Sequence, residues 1–136
     1  MSAATLYTPE VLGLATGLAA LPLDEGLPLR GSARSARCGS TLTVGLAVDA
    51  AGRIARVGVS ASACAVGQAA AALFAGGAVG RDLAQVAAAR GEIEAWLSGG
   101  ALPAWPGLGA IAAAAGYPGR HGAILLAWRA AEAALA

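Results

Sequence analysis

The chain has 136 residues and a formal net charge of +1, a length that fits one domain over residues 1–136, long enough to bury a core without staples. The near-neutral balance gives no reason to expect nucleic acid, and no apolar run approaches the roughly 18 residues of a membrane span. The apolar fraction of 57% is largely alanine, so the core must rest on fewer, larger side chains.

"YTPEVLGLATGLAAL" opens a helix. Thr8 suits the N-cap, Pro9 the first helical position and Glu10 the positive end of the dipole. Val11, Leu14, Ala15 and Leu18 follow at helical spacing. "LPLDEGLPLRG" breaks the pattern with prolines and glycines and reads as a loop. "GSARSAR" is a candidate early strand. From Arg37 the period changes to two: Leu42, Val44, Leu46 and Val48 alternate with Thr41, Thr43, Gly45 and Ala47. Asp49 to Gly52, "DAAG", supplies a turn. Ile54, Val57 and Val59 form the second arm of an antiparallel hairpin, with a slip in alternation near Arg56.

Beyond Cys64 the pattern is helical. "AVGQAAAALFAGG" is expected to end at Gly76 and Gly77 as a C-cap pair. "GRDLAQVAAARGEIEAWLSGG" reads as two short helices divided near Gly91. "LPAWPGLGAIAAAAGYPG" is loop-like with one more short helix. "GAILLAWRAAEAALA" closes the chain, apolar at Ile124, Leu125, Trp128 and Leu135 and polar at Arg129 and Glu132. There is no internal repeat. Helix, small antiparallel sheet, then helices is the order of an α+β domain.

Three positions carry chemistry. Cys38 stands in "RCGS", where a loop meets a strand. Gly39 lets the backbone turn sharply or approach a bound atom, and Arg37 favours the thiolate. Cys64 stands in "SASACAVGQAA", where strand gives way to helix, and a helix N-terminus also favours a thiolate. His121, the only histidine, lies just before the closing helix. Two thiolates and an imidazole suit zinc or iron–sulfur chemistry. Against this stands the plainer possibility that the cysteines are small buried apolar residues and the histidine structural.

The opening "MSAATLYTPEVLGLA" has no positive n-region before an apolar stretch, which argues against a secretory signal. A cytoplasmic, reducing setting is expected, where cysteines serve as ligands or nucleophiles more often than as a disulfide. All nine basic residues are Arg. Arg binds carboxylate or phosphate through a planar fork, but a coding bias towards alanine and arginine accounts for the usage. Other signals are weak. "GLGA" lacks a phosphate loop's spacing and Lys. Ser40, Ser60 and Ser62 have no base partner. Trp96, Trp105 and Trp128 read as core or interface.

Taken together, the motifs resemble the U-type iron–sulfur assembly scaffolds, the IscU, SufU and NifU N-terminal group. "YTPEVLGLA" is similar to the family's opening helix, and "RCGSTLTVGLAVDAAGRIARVGV" to its Cys-Gly-Asp motif and hairpin. "ACAVGQAA" resembles its Gly-Cys-x-x-Ser-x-Ala-Ser stretch, and "RHGAILLAW" the Arg-x-x-Cys-x-x-Leu-x-Trp helix of the SufU branch. The resemblance implies a small three-stranded antiparallel sheet packed against several helices. It also implies a scaffold that binds zinc, iron or a nascent cluster and accepts sulfur from a cysteine desulfurase of the SufS or IscS type. Cys38 and Cys64 are then the candidate acceptors, and Cys38, Cys64 and His121 the candidate ligands.

The departures are specific. Ser40 replaces the family's Asp, Ala63 and Gly67 replace its Gly and Ser, and Ala123 replaces its third cysteine, two residues beyond His121. A closed zinc site and a [2Fe–2S] cluster each want four ligands. The chain supplies three at best, so an open position or ligands pooled across a homodimer is expected. The alternative is a degenerate, non-catalytic homologue that docks on or regulates a desulfurase. A reversible Cys38–Cys64 disulfide switch is a third reading.

Overall fold

The computed structural model of the chain describes residues 6–37 and 39–136. Helix α1 (Pro9–Gly17) starts as its residues dictate. The Thr8 hydroxyl accepts from the Val11 amide at 3.1 Å, with Pro9 and Glu10 in the first turn. That caps an otherwise orphaned donor. One 3₁₀ turn, Leu18–Ala20, ends it.

Strands β1 (Leu29–Arg34), β2 (Thr41–Val48) and β3 (Ile54–Ser62) form an antiparallel sheet in the order β1-β2-β3. The early strand is therefore real, although it begins before "GSARSAR" and ends at Arg34. The alternation in β2 begins at Thr41 rather than Arg37. Leu42, Val44 and Leu46 point to the core and are at most 2% exposed. The Asp49 carboxylate accepts from the Ala51 and Arg53 amides, closing the turn. The slip near Arg56 is a bulge. Ala47 pairs with Arg56 but Val48 with Ile54, leaving Ala55 over.

Helices α2 (Ala65–Ala78), α3 (Leu83–Leu97) and α4 (His121–Leu135) follow, with 3₁₀ segments at Leu108–Gly116 and Pro118–Arg120. Two sequence expectations are corrected. The α3 helix runs unbroken through Gly91. Asp82 and Gln85 form a capping box at its start, and Arg90 bonds to Glu94 and, at 2.6 Å, to Glu132 of α4. A solvent-side glycine costs only about 1 kcal/mol, too little by itself to end a helix that is capped and tied to α4 in this way. Nor does α2 end at Gly76–Gly77. Gly77 is bare because the Trp105 ring lies against it: a Cβ there would stand 2.6 Å from Trp105 Nε1.

The core lies between the sheet and the helices. Phe74 stacks on Trp105 with centroids 5.7 Å apart, and Trp128 meets both edge-on at 5.4 Å. Trp105 donates its indole N–H to Leu73 O at 2.9 Å. The closing helix α4 packs on β1 and β2, on α2 and on α3. It comes so near β1 that a Cβ on Gly31 would stand 2.0 Å from the Ala130 carbonyl oxygen. The opposite face of the sheet is covered at Gly45 and Gly58 by Leu23 and Leu27 of the loop after α1. No described helix is long and apolar enough to cross a membrane.

Candidate functional site

Antiparallel pairing creates the site. Thr41, the first residue of β2, is paired with Ser62, the last of β3. The residues just before Thr41 and just after Ser62 must therefore meet at one end of the sheet. The first group is the β1–β2 connection. Its turn is closed by the Ser35 amide donating to Ser40 O at 2.8 Å and the Gly39 amide donating to Ser35 O at 2.9 Å. Gly39 has φ +70, a left-handed conformation that favours glycine over any side chain. Cys38 itself lies outside the described residues.

The second group is Ala63 and Cys64. Cys64 is the N-cap of α2 in extended conformation (φ −65, ψ 167), and its sulfur makes no capping bond. It is a half-buried free thiol. Gln68 pins this junction, its amide donating to Cys64 O at 2.9 Å and its side chain to Ala63 O at 2.8 Å.

The first turn of α4 closes the third side. Gly122 abuts the β1–β2 turn, since a Cβ on it would stand 2.5 Å from Ser35 Oγ. Ala123, 1% exposed, faces α2: a Cβ on Gly67 would stand 3.1 Å from the methyls of both Ala123 and Ala63. The three small residues thus fill one another's space.

Between these elements lies an open cleft of ≈ 310 Å³ lined by Gly39, Ser40, Ser62, Ala63, Cys64 and Arg120. Arg120 is the only charged residue of the six. It is the arginine of "RHGAILLAW", but sequence reasoning left it out of the site. Its place in that motif was the available signal. The Arg120 guanidinium donates to the Tyr7 hydroxyl at 3.1 Å.

His121 is not among the residues lining this cleft. It heads α4, half-buried, with Nε2 3.0 Å from the Ala115 carbonyl. A carbonyl only accepts, so Nε2 donates, and in a neutral imidazole the lone pair is then on Nδ1. A backbone carbonyl behind the imidazole is also how ligating histidines are commonly oriented. Even so, the described residues do not complete a metal site. No three of His, Cys, Asp and Glu converge among them, and Ala123 offers a methyl where the resemblance places a sulfur.

No protein-family model and no curated protein sequence matches the chain. Solved structures do. The N-terminal part of a nitrogen-fixing NifU-like protein from Brucella abortus is 25% identical, with a TM-score of 0.84 over 97% of this chain and 93% of its own. A protein from Fervidobacterium islandicum AW-1, described as an iron–sulfur cluster assembly scaffold for the SUF system, is 18% identical. Its TM-score is 0.85 over 99% of this chain and all of its own. The chain thus has the α+β fold of the U-type iron–sulfur assembly scaffolds over nearly its whole length, as its motifs led one to expect.

Proposed function

We propose that the chain is an iron–sulfur assembly protein of the U-type scaffold kind that accepts sulfur from a cysteine desulfurase. The observation that carries this is Cys64, a half-buried free thiol at a helix N-terminus, opening into a polar cleft beside Arg120. Cys38 is the other candidate acceptor, and the two residues that follow it line the same cleft. In the transfer step a thiolate of this chain attacks the outer sulfur of the donor's persulfide. The donor's S–S bond breaks, its cysteine leaves as a thiolate, and the outer sulfur remains here as a persulfide.

Binding of zinc or iron by Cys38, Cys64 and His121 is the finer half of this reading. It needs at least one further donor, because a closed site takes four. A partner's thiol or a second copy of the chain in a homodimer would supply it. An iron–sulfur cluster, on this reading, is cargo rather than a resident cofactor.

The test is mass spectrometry of the reduced protein after incubation with a desulfurase and cysteine. Addition of one sulfur to the Cys64 or Cys38 peptide is expected, and absence of added sulfur on both overturns the relay. A second reading, a non-catalytic module that docks on a desulfurase, is favoured by one observation. Ala123 is packed against Gly67 as a buried methyl, so the third donor position is filled by apolar contact. A chain that binds a desulfurase, takes up no zinc or iron and gains no sulfur would establish that reading instead.

A further inference from the structure

We infer that Tyr7 is a positioning residue of the site, holding the Arg120 guanidinium at the cleft where Cys64 takes up sulfur. This rests on the sulfur-acceptor reading above and adds a residue that the reading does not use. The two residues are 113 positions apart, yet Arg120 Nη2 donates to the Tyr7 hydroxyl at 3.1 Å.

Tyr7 is well placed to hold something still. Leu6 before it is buried at 3% exposure, and Thr8 after it caps α1. Its own ring is packed against the hydrophobic core. The hydroxyl therefore sits at the tip of a side chain with two torsions, both ends of whose backbone are fixed. Arg120 is held from its own side by its amide, which donates to Tyr117 O at 2.9 Å. A long side chain fixed at its base and near its tip loses most of its rotamers before any ligand arrives.

What is being held is the one positive charge among the described residues that line the cleft. A sulfur delivered to Cys64 stays as an anionic perthiolate, and the donor's persulfide is also anionic on approach. A guanidinium held at the cleft attracts both, and the bond from Tyr7 helps to hold it there.

The test compares Tyr7→Phe, Arg120→Ala and Arg120→Lys with the parent protein. Alkylation of Cys64 is followed by peptide-resolved mass spectrometry with two reagents of similar size, anionic iodoacetate and neutral iodoacetamide. The ratio of their rates reads the local charge, which a purely structural role would leave unchanged. Arg120→Ala is expected to lower the ratio about fivefold, as loss of a unit charge a few ångströms away in water implies. Arg120→Lys should keep part of it, and Tyr7→Phe should lower it about twofold with little change in Tm. A ratio unchanged in Tyr7→Phe but lowered in Arg120→Ala overturns the positioning role, and one unchanged in both overturns the charge as well. Sulfur loading by a desulfurase on the parent protein is scored separately. If the parent takes no sulfur while Tyr7→Phe still lowers the ratio, the function fails and the positioning stands.

Discussion

Gly31 is where the fold has least room. Replacing it with alanine adds one methyl to β1, 2.0 Å from the Ala130 carbonyl oxygen and 2.6 Å from the Ala134 amide nitrogen. Non-bonded heavy atoms settle near 3.5 Å, so the closer contact is roughly 1.5 Å short. Both atoms are backbone of α4, and no rotamer relieves the overlap. Either the helix lifts from the sheet or β1 leaves its ladder with β2. Overpacking costs about 1–3 kcal/mol when side chains can adjust; here they cannot, so about 3 kcal/mol is expected. For a chain this long that lowers Tm by roughly 10 °C. Gly91→Ala is the matched control, because nothing lies within 4 Å of its added Cβ and it sits inside α3. It should gain about 1 kcal/mol from helix propensity. Thermal and urea unfolding followed by circular dichroism measures both. A Gly31→Ala protein melting within about 2 °C of the parent would refute the view that α4 rests directly on β1.

The Arg90 bridge between α3 and α4 has a defined pH signature. Hydrogen bonds to Glu132 first, then Glu94, raise the Arg90 pKa above its already high ordinary value. A raised folded pKa gives stability that is complete below the unfolded value and is lost only as pH rises through the folded one. The Tm difference between the parent and Arg90→Ala should therefore stay flat across about pH 6–10 and shrink with added salt; a difference that disappears towards pH 10 contradicts the assignment. Ala123→Cys places a thiol on the first turn of α4, beside Gly67. Zinc retained after loading and dialysis should rise towards about one ion per chain, measured by elemental analysis, with Ala123→Ser showing no such rise. Equal zinc in the parent and both variants would show that this position does not face the site.

Much of the architecture could be read from local chemistry. Thr8 and Pro9 announce α1 because an N-cap hydroxyl and a proline satisfy needs met within one turn. Leu42, Val44 and Leu46 announce β2 because alternation survives only where one face is buried. The slip at Arg56 was already the bulge at Ala55. The errors fell on glycines. Gly77 and Gly91 both looked like stops, yet one makes way for Trp105 and the other is an exposed position in a helix held by Arg90. A glycine in sequence does not say whether it serves a turn, a neighbour or nothing.

By itself, then, the sequence determined the order of elements, the α+β class and the placing of Cys64 where strand becomes helix, since each depends on neighbours a few residues away. Only the tertiary structure decided which distant residues share the cleft. The register of Thr41 on Ser62 carries Gly39 and Ser40 to Cys64. The seating of α4 on Gly31 brings Arg120 into the cleft and places Ala123 against Gly67, leaving His121 tied to Ala115. Such meetings follow from how helix and sheet pack, and packing is settled by contacts between residues far apart in the chain.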